Sequence, residues 1–363
     1  ITMLLIIMAG VLIDYSHEKK FIMDVNLSMT IKQIAPKLGV TGKALARELK
    51  LPLNISKQKS LKKLGITNKN FKHTVEHIIS HHSGNLKYYI FAALSLFGLI
   101  YLVKLGRPDF CSLEHRDKWY PRTPYITCLI MSVIIAGFYL GKSPNPMEGA
   151  VKVFKSMVGL YPDPGIKVIA FIFFMILTIV GNKIICGWAC PFGSLQELIY
   201  SLPVLQKIKK KKLPFILTNI IRVTLFITML LLLFGIIGES EGFVIYHYIN
   251  PFNLFELEFE SISIWLTITF VLLASFFVYR PFCQFICPFG LLSWIAEYFS
   301  IVKIKINKDK CTQCGLCIKK CPLEAAKGRV LDKKILADCF SCGRCLNVCP
   351  VDAIQYKLLG SNS

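Results

Sequence analysis

Long apolar runs alternate with short polar segments along most of the chain. Five runs predict helices that cross a membrane, near 88–104, 124–141, 167–187, 214–238 and 262–280. A bilayer core of about 30 Å requires about 20 apolar residues in a helix, and backbone groups in lipid need partners within that helix. A sixth run, 1–13, is too short alone, and we expect it to end a helix that begins upstream. The pattern predicts an all-α polytopic membrane protein with a small α+β domain at its end.

The charged loops predict how these helices are oriented. Basic residues collect on the cytoplasmic side of a membrane, and the run KIKKKK at 207–212 and the loop 105–124 are both basic. The loop 239–261 contains five glutamates and fits the outer side. The chain has 43 Lys and Arg against 22 Asp and Glu. We interpret this excess as cytoplasmic loops of a membrane protein and expect no nucleic-acid partner.

The alternation divides the chain into six predicted segments. They are a partial membrane helix at 1–13, a small helical extracytoplasmic segment at 14–87, a membrane helix with its cytoplasmic loop at 88–123, two membrane repeats at 124–206 and 207–300, and a cytoplasmic domain at 301–363. Residues 30–51 superficially resemble a DNA-binding helix-turn-helix. Short matches of this kind are often false, and the predicted topology places this stretch outside the cell.

The two membrane repeats share one cysteine motif. CGWACPFG at 186–193 and CQFICPFG at 283–290 both read C-x3-C-P, and Lys183 and Arg280 each stand three residues before the motif. Proline is favoured at the first position of a helix, so the second cysteine of each motif is predicted beside a helix N-terminus. The partial positive charge there favours a thiolate or an anionic cluster. Duplicated membrane units often pack about a pseudo-two-fold axis with the functional site between them.

Three interpretations of the paired motifs stay open from the residues alone. The cysteines meet and hold one further iron–sulfur cluster, or they form redox-active dithiols or a copper(I) site, since soft thiolates select both. The third interpretation is structural packing between helices. The residues concerned are Cys186, Cys190, Cys283 and Cys287, with Lys183 and Arg280 as expected charge partners.

The C-terminal segment carries the most specific motif. CTQCGLCIKKCP from 311 and CFSCGRCLNVCP from 339 both read C-x2-C-x2-C-x3-C-P. This is the signature of bacterial two-cluster ferredoxins, in which the fourth cysteine serves the other cluster. The signature assigns Cys311, Cys314, Cys317 and Cys349 to one 4Fe–4S cluster, and Cys339, Cys342, Cys345 and Cys321 to a second. A pair of zinc sites is the weaker alternative, because structural zinc usually takes two separated C-x2-C pairs.

Two C-x3-C-P motifs at helix ends, followed by a two-cluster ferredoxin run, resemble the membrane-bound polyferredoxin family over about 124–355. That family includes the quinol-dehydrogenase subunit of periplasmic nitrate reductase systems, the nitrous-oxide reductase accessory protein and the cytochrome oxidase assembly iron–sulfur protein. The resemblance implies electron transfer between a quinone pool, the clusters and a protein partner, in a respiratory complex of the cytoplasmic membrane. Residues 1–123 depart from the family, so a covalent flavin is not expected there.

The resemblance leaves the role within such a complex open. The chain is expected to be an electron-transfer subunit, with quinol dehydrogenation as a candidate activity at a quinone site that the sequence does not locate. One alternative is a copper-reducing assembly factor for a respiratory oxidase or reductase. Another is a non-redox scaffold whose clusters stabilise the fold.

Isolated histidines and cysteines are weaker candidates. His73, His77 and His81 are spaced by four and share one helix face, which makes them candidate metal or haem ligands, although a polar helix face is the commoner explanation. His247 lies among aromatic residues and is expected to anchor the chain at the membrane interface. Cys128 is expected to pack within a helix.

Overall fold

The computed structural model describes residues 27–37, 45–46, 49, 51, 60–67, 70–71, 74, 84–106, 123–159, 164–202, 212–237, 244–257 and 262–358. The chain divides into two compact units, Ile1–Tyr89 and Ile90–Ser363. His73, His77 and His81 lie outside the described residues, as do the apolar run 1–13 and most of the loop 105–124. Predictions at these positions therefore stay predictions.

The first unit is built on a small apolar core. Helix α1 (Ile31–Lys37) begins at Thr30, whose hydroxyl accepts a hydrogen bond from the Gln33 amide at 3.3 Å while the Gln33 side chain accepts one from the Thr30 amide at 3.0 Å. This reciprocal cap fixes where the helix starts. The core residues are Ile31, Ile34, Leu45, Ala46, Leu61 and Phe71. Its described residues also form a 3-10 helix (Leu61–Leu64) and a β-bridge between Thr30 and Ser60.

The chain is mostly helical from residue 84 onward. The first helices are α2 (Gly84–Leu105), α3 (Thr123–Met131, continued as a π-helix over Ser132–Tyr139), α4 (Pro146–Met157) and α5 (Pro164–Gly181). A π-helical turn (Ile185–Ala189) precedes α6 (Pro191–Tyr200) and α7 (Phe215–Leu233). Two 3-10 helices (Ile245–His247 and Pro251–Glu256) precede α8 (Ile262–Ala274), α9 (Pro281–Phe285) and α10 (Pro288–Glu297).

A two-stranded sheet closes the C-terminal domain. Strands β1 (Val302–Ile306) and β2 (Ile354–Leu358) are antiparallel, and between them lie α11 (Leu316–Lys320), α12 (Ala325–Val330) and α13 (Arg344–Asn347). Ile304 and Tyr356 face each other across the sheet and are both buried. The architecture is therefore mostly helical with one small sheet.

Two helices among the described residues are long and apolar enough to cross a membrane, over Leu86–Leu105 and Phe215–Leu233. The other three predicted spans coincide with shorter apolar helices, over Thr123–Tyr139, Lys167–Gly181 and Ile262–Ala274. The predicted span 167–187 is interrupted because Asn182 and Lys183 adopt left-handed backbone conformations, with φ of 52° and 61°. Residues rarely adopt that region within a helix, so the helix ends at Gly181. The polytopic arrangement stays a prediction.

Helix α4 lies where the sequence analysis places a connection between spans. Asn145 caps it by accepting a hydrogen bond from the Glu148 amide at 2.9 Å, and Pro146 occupies its first position. The helix packs along α5, where Gly149 leaves room for the Phe174 ring. The segment is therefore an ordered element that supports α5, whose end leads into the first cysteine motif.

Candidate metal centres

Both C-x3-C-P motifs fold in the same way. Cys190 and Cys287 are the N-caps of α6 and α10, with φ,ψ of −71°,115° and −63°,117°, and a proline follows each at the first helical position. The prediction that each second cysteine lies at a helix N-terminus is confirmed. Lys183 and Arg280, the matched residues before the motifs, both have left-handed backbones, with φ of 61° and 45°. The two repeats therefore share the same backbone conformation at these matched residues.

The four motif cysteines lie at the contact between the two repeats. Cys186, Cys283 and Cys287 are buried and Cys190 is half-buried, and the Cys287 thiol is close enough to interact electrostatically with the other three. Gln196 of α6 links the repeats directly, since its Nε2 lies 3.6 Å from Cys283 Sγ. The structure thus brings together thiols that are 97 residues apart in matched positions.

Two buried arginines bind the backbone of the first cysteine in each motif. Arg280 donates to the carbonyls of Cys186 and Gly187, and Arg222 donates to the carbonyl of Cys283 at 3.1 Å. The glycine that ends each CPFG sequence allows this arrangement. A Cβ on Gly193 would lie 3.0 Å from the Cys186 oxygen, and one on Gly290 would lie 2.7 Å from the Cys283 oxygen.

The cations that the sequence proposed as charge partners pair with carboxylates. Lys183 donates to Asp338 and to the Gly290 carbonyl at 3.2 Å, and Arg222 Nη2 lies 3.1 Å from Asp338 Oδ2. Burial alone would raise the pKa of Asp338, but Arg222 and Lys183 hold it below its ordinary range. Arg280 pairs with Glu197 at 3.1 Å. The role of Lys183 and Arg280 beside a metal centre stays a prediction.

Among the described residues, the buried ion pairs at this contact contain more cations than carboxylates. The cations in these buried ion pairs are Lys183, Arg222, Arg280, Arg329 and Arg344, and the carboxylates are Glu197, Glu297 and Asp338. Five cations against three carboxylates leave an excess of two positive charges. An uncompensated buried charge is costly. Arg329 and Arg344 line the cavity of Cys339, Cys342 and Cys345, whereas Arg222 and Arg280 bind the backbone of the paired motifs. Thiolate ligands at both places would supply negative charge, so both donor sets fit an anionic centre.

Two cavities in the C-terminal domain are lined by the eight cysteines of the ferredoxin motifs. A cavity of about 500 Å³ is lined by Cys321, Cys339, Cys342 and Cys345. A second, of about 370 Å³, is lined by Cys311, Cys314, Cys317 and Cys349. In each group the fourth cysteine comes from the other motif, which is the grouping that the ferredoxin signature assigns. Gly315 and Gly343 precede α11 and α13 with φ of 73° and 79°, a conformation that favours glycine.

The two cavities differ in their exposure to solvent. Cys339, which lines the first cavity, is buried, whereas Cys314, which lines the second, is exposed. Burial raises the pKa of the Cys339 thiol to about 12, and the nearby Arg329 guanidinium opposes this shift. The second cavity is therefore the one nearer to solvent.

The spacing of these cysteines bears on the kind of metal. Within the described ranges, no three Cys, His, Asp or Glu side chains come close enough to hold a single metal ion. Zinc–sulfur bonds of about 2.3 Å place tetrahedral ligand sulfurs roughly 4 Å apart. A group of that size is not found in the described residues, although each cavity is lined by four cysteines.

The loop that holds Cys339 lies directly on the segment that holds Cys186. The Asn182 side chain donates to the Cys339 carbonyl at 3.3 Å, and the Trp188 indole donates to the Ser341 carbonyl at 3.0 Å. A Cβ on Gly187 would collide with the Phe340 carbonyl oxygen. The segment of the first repeat that holds Cys186 therefore contacts the backbone of the loop that holds Cys339.

The sequence analysis did not identify Asp338, Glu197, Arg222 or Arg344 as site residues. Arg222 gave a usable signal, because it is a single cation within the apolar helix α7, and charged residues in such helices usually mark function. Asp338 gave none, since an aspartate beside a cysteine motif is unremarkable in sequence. Cys128 is buried in α3, as expected, with its thiol 3.7 Å from the Trp188 carbonyl.

Comparison with known families points to iron–sulfur chemistry. Residues 166–212 and 261–308 match a family described as a 4Fe-4S binding domain, and residues 310–354 match a 4Fe-4S dicluster domain. Each match to the first family includes one C-x3-C-P motif. The dicluster match includes all eight cysteines of the two cavities.

Several known proteins are similar to most of this region. An uncharacterized protein of Methanocaldococcus jannaschii is 29% identical over 66% of this chain and 89% of its own length. The ferredoxin-type protein NapH of Haemophilus influenzae is 25% identical over 59% of this chain and 81% of its own. The methylamine utilization ferredoxin-type protein MauN of Paracoccus denitrificans is 26% identical over 44% and 57%. No solved structure matches this chain.

Proposed function

We propose that this chain, a ferredoxin-type iron–sulfur electron-transfer protein that resembles the membrane-bound polyferredoxins, carries electrons between a quinone pool or a membrane redox partner and a protein partner. The observation that carries the proposal is the pair of hydrogen bonds from the Asn182 and Trp188 side chains to the backbone of the Cys339 loop. It joins the membrane repeats to the ferredoxin domain where both present cysteines. We further propose that the chain works as a subunit of a respiratory or redox complex.

Three sets of cysteines would hold clusters. The proposed ligands are Cys311, Cys314, Cys317 and Cys349 for one, Cys339, Cys342, Cys345 and Cys321 for a second, and Cys186, Cys190, Cys283 and Cys287 for a third. Bound iron–sulfur clusters supply one-electron redox chemistry, at potentials set by burial and by hydrogen bonds to sulfur. The third set is supported by the meeting of thiols from both repeats, since the Cys287 thiol interacts with the other three and Gln196 contacts Cys283.

Contacts between the segments that carry the three sets support a continuous order. The paired motifs contact the Cys339 loop, and the two ferredoxin sets are joined through α11, where the Cys321 amide donates to the Cys317 carbonyl at 2.9 Å. The exposed Cys314 marks the far end. Electrons that enter at the membrane repeats would therefore leave from the Cys311 set, or travel in the opposite sense.

Exposed apolar side chains support a multi-pass membrane protein. Helices α3, α5, α7 and α8 each present large apolar residues that are more than half exposed, including Ile134, Ile169, Ile216 and Phe270. Soluble monomers rarely expose apolar patches of this extent. We propose that these faces contact lipid and that the ferredoxin domain lies on the cytoplasmic side, next to the basic run 207–212.

Quinol-dependent reduction tests this function. Full-length protein in lipid nanodiscs, kept anaerobic, would be mixed with duroquinol, and cluster reduction would be followed by absorbance and EPR. We expect reduction in the wild type and in Cys128→Ser, which changes a buried cysteine outside the three sets. We expect no reduction of the ferredoxin clusters in Cys186→Ser/Cys283→Ser.

Two other outcomes would reject the proposal. Stoichiometric copper(I) binding that the double variant abolishes, with no response to quinol, would favour a copper-reducing assembly factor. Clusters that respond to neither quinol nor any redox partner would favour a scaffold.

A further inference from the structure

The surface beside the Cys311 set has a small apolar centre. Leu316 and Val351 both line the cavity of about 370 Å³, and their side chains are 38% and 37% exposed. Cys314, between Cys311 and Leu316, is exposed as well. This is where a bound metal centre would come nearest to solvent, so we define Cys314, Leu316 and Val351 as the exit patch.

Lysines surround the exit patch. Lys310 precedes Cys311 in the chain, and Lys319 lies three residues after Leu316, hence on the same face of α11. Lys310, Lys319 and Lys320 are exposed, and none of them is ion-paired with a carboxylate in the part of the chain that the structure describes. They form the basic rim of the patch.

Further positive charge reaches the same place from the membrane repeats. Lys212, the last residue of the basic run 207–212, donates from its Nζ to the carbonyls of Ile318 and Lys319 at 2.6 and 3.2 Å. Lys308 is paired with Asp332 at 2.7 Å. Acidic residues are present near the patch, at Asp309 and Asp352, but lysines predominate.

We propose that the exit patch is the docking site of a soluble, acidic, one-electron carrier protein. The inference rests on the proposed electron-transfer function and identifies the chemistry of its protein partner. An apolar centre with a charged rim is the usual anatomy of a protein interface, and redox encounters use small, weak interfaces. A rim of one sign attracts an oppositely charged partner over long range and raises the association rate.

The redox step itself is simple. One electron leaves a reduced cluster of the Cys311 set and one electron enters the carrier, with no bond made or broken in this chain. Lys310 and Lys319 orient the encounter, and the apolar centre excludes water where Cys314 is exposed. The lysines are docking residues and hold no metal.

A stopped-flow experiment tests the docking site. Full-length protein in nanodiscs of zwitterionic lipid, reduced with dithionite and freed of excess reductant, is mixed with oxidised flavodoxin, an acidic protein whose flavin absorbance reports its reduction. We compare wild type with Lys310→Glu/Lys319→Glu. The matched control is Lys303→Glu/Lys357→Glu, which makes the same charge change on opposed residues of the β1–β2 sheet.

We expect the wild-type second-order rate constant to fall at least about tenfold between 50 and 500 mM NaCl, because salt screens steering. The rim variant should be about tenfold slower at 50 mM NaCl and should match wild type at 500 mM. The control variant should stay within about twofold of wild type, and all three proteins should contain the same iron.

Three outcomes would overturn the docking site. They are a rate without salt dependence, an equal loss in both variants, or a rim effect that appears only when the nanodisc contains anionic lipid. The last would assign the lysines to the membrane surface. A protein with intact clusters that fails these tests loses the docking site alone, whereas a protein without clusters loses the proposed function.

Discussion

Replacement of Asp338 by Asn tests the buried ion pairs that join the membrane repeats to the ferredoxin domain. The Asp338 carboxylate is 2% exposed and pairs with Lys183 and Arg222, whose side chains are both fully buried. The amide keeps the size of the side chain and removes its charge. Lys183 and Arg222 would then lose the carboxylate that both of them pair with, and the Cys339 loop would lose its ion pairs with the membrane repeats.

The expected loss follows from this geometry. Breaking a buried ion pair by removing one partner costs about 3–5 kcal/mol, and the amide oxygen that remains still accepts one hydrogen bond, which offsets about 1 kcal/mol. We expect Asp338→Asn to lower the free energy of unfolding by about 2–4 kcal/mol. For the unit Ile90–Ser363, that corresponds to a decrease of roughly 4–8 °C in the midpoint temperature.

The assay is thermal unfolding of the purified protein, followed by loss of cluster absorbance. Asp332→Asn is the matched control, because Asp332 also pairs with a lysine, Lys308, at 2.7 Å, but its side chain is 78% exposed. Exposed pairs contribute little, so the control should unfold like wild type. Equal midpoints for the two variants would refute the reasoning, since burial is the difference between them.

Two further changes probe other parts of the structure. Gly187→Ala would force a methyl group against the Phe340 carbonyl and should slow quinol-dependent reduction of the ferredoxin clusters at unchanged iron content. Gly165→Ala, which has open space around it, should not change this rate. Equal rates for the two variants would argue against this contact as the electron path. His247 is exposed by its accessible surface, but partial desolvation and the Lys155 ammonium, 3.0 Å away, lower its pKa to about 4. The unfolded chain binds the proton more readily, so the stability of the folded state should fall as pH falls between about pH 6.5 and pH 4. Hydrogen exchange of residues 244–257 should therefore show faster opening at pH 5 than at pH 7 in wild type, but not in His247→Gln. Equal protection of wild type at both pH values would contradict this.

Short-range chemistry made the cysteine sites predictable. The proline after each second motif cysteine predicts helix starts at Pro191 and Pro288, and both are confirmed, because proline acts within its own turn. The ferredoxin cysteines collect in two cavities in the grouping that their spacing suggests. The helix starts depend on residues in one turn, whereas the grouping in the cavities depends on a signature that joins two motifs 28 residues apart.

Long-range contacts were not predictable. Lys183 and Asp338 are 155 residues apart in sequence, and only the packing of the ferredoxin domain on the first repeat brings them together. Helix lengths were also overestimated, because apolar residues continue past Gly181 while the backbone turns at Asn182. The start of helix α4 has a local signal in Asn145 and Pro146, an N-cap followed by proline. The pattern of apolar runs does not show this helix.

Iron content combined with EPR tests the central claim most directly. If Cys186, Cys190, Cys283 and Cys287 hold a third cluster of four irons, anaerobically purified protein should contain about twelve irons per chain, and Cys186→Ser/Cys283→Ser should contain about eight. The EPR spectrum of the reduced variant should lose one signal and keep the two of the ferredoxin domain. About eight irons in both proteins, with identical spectra, would contradict the account.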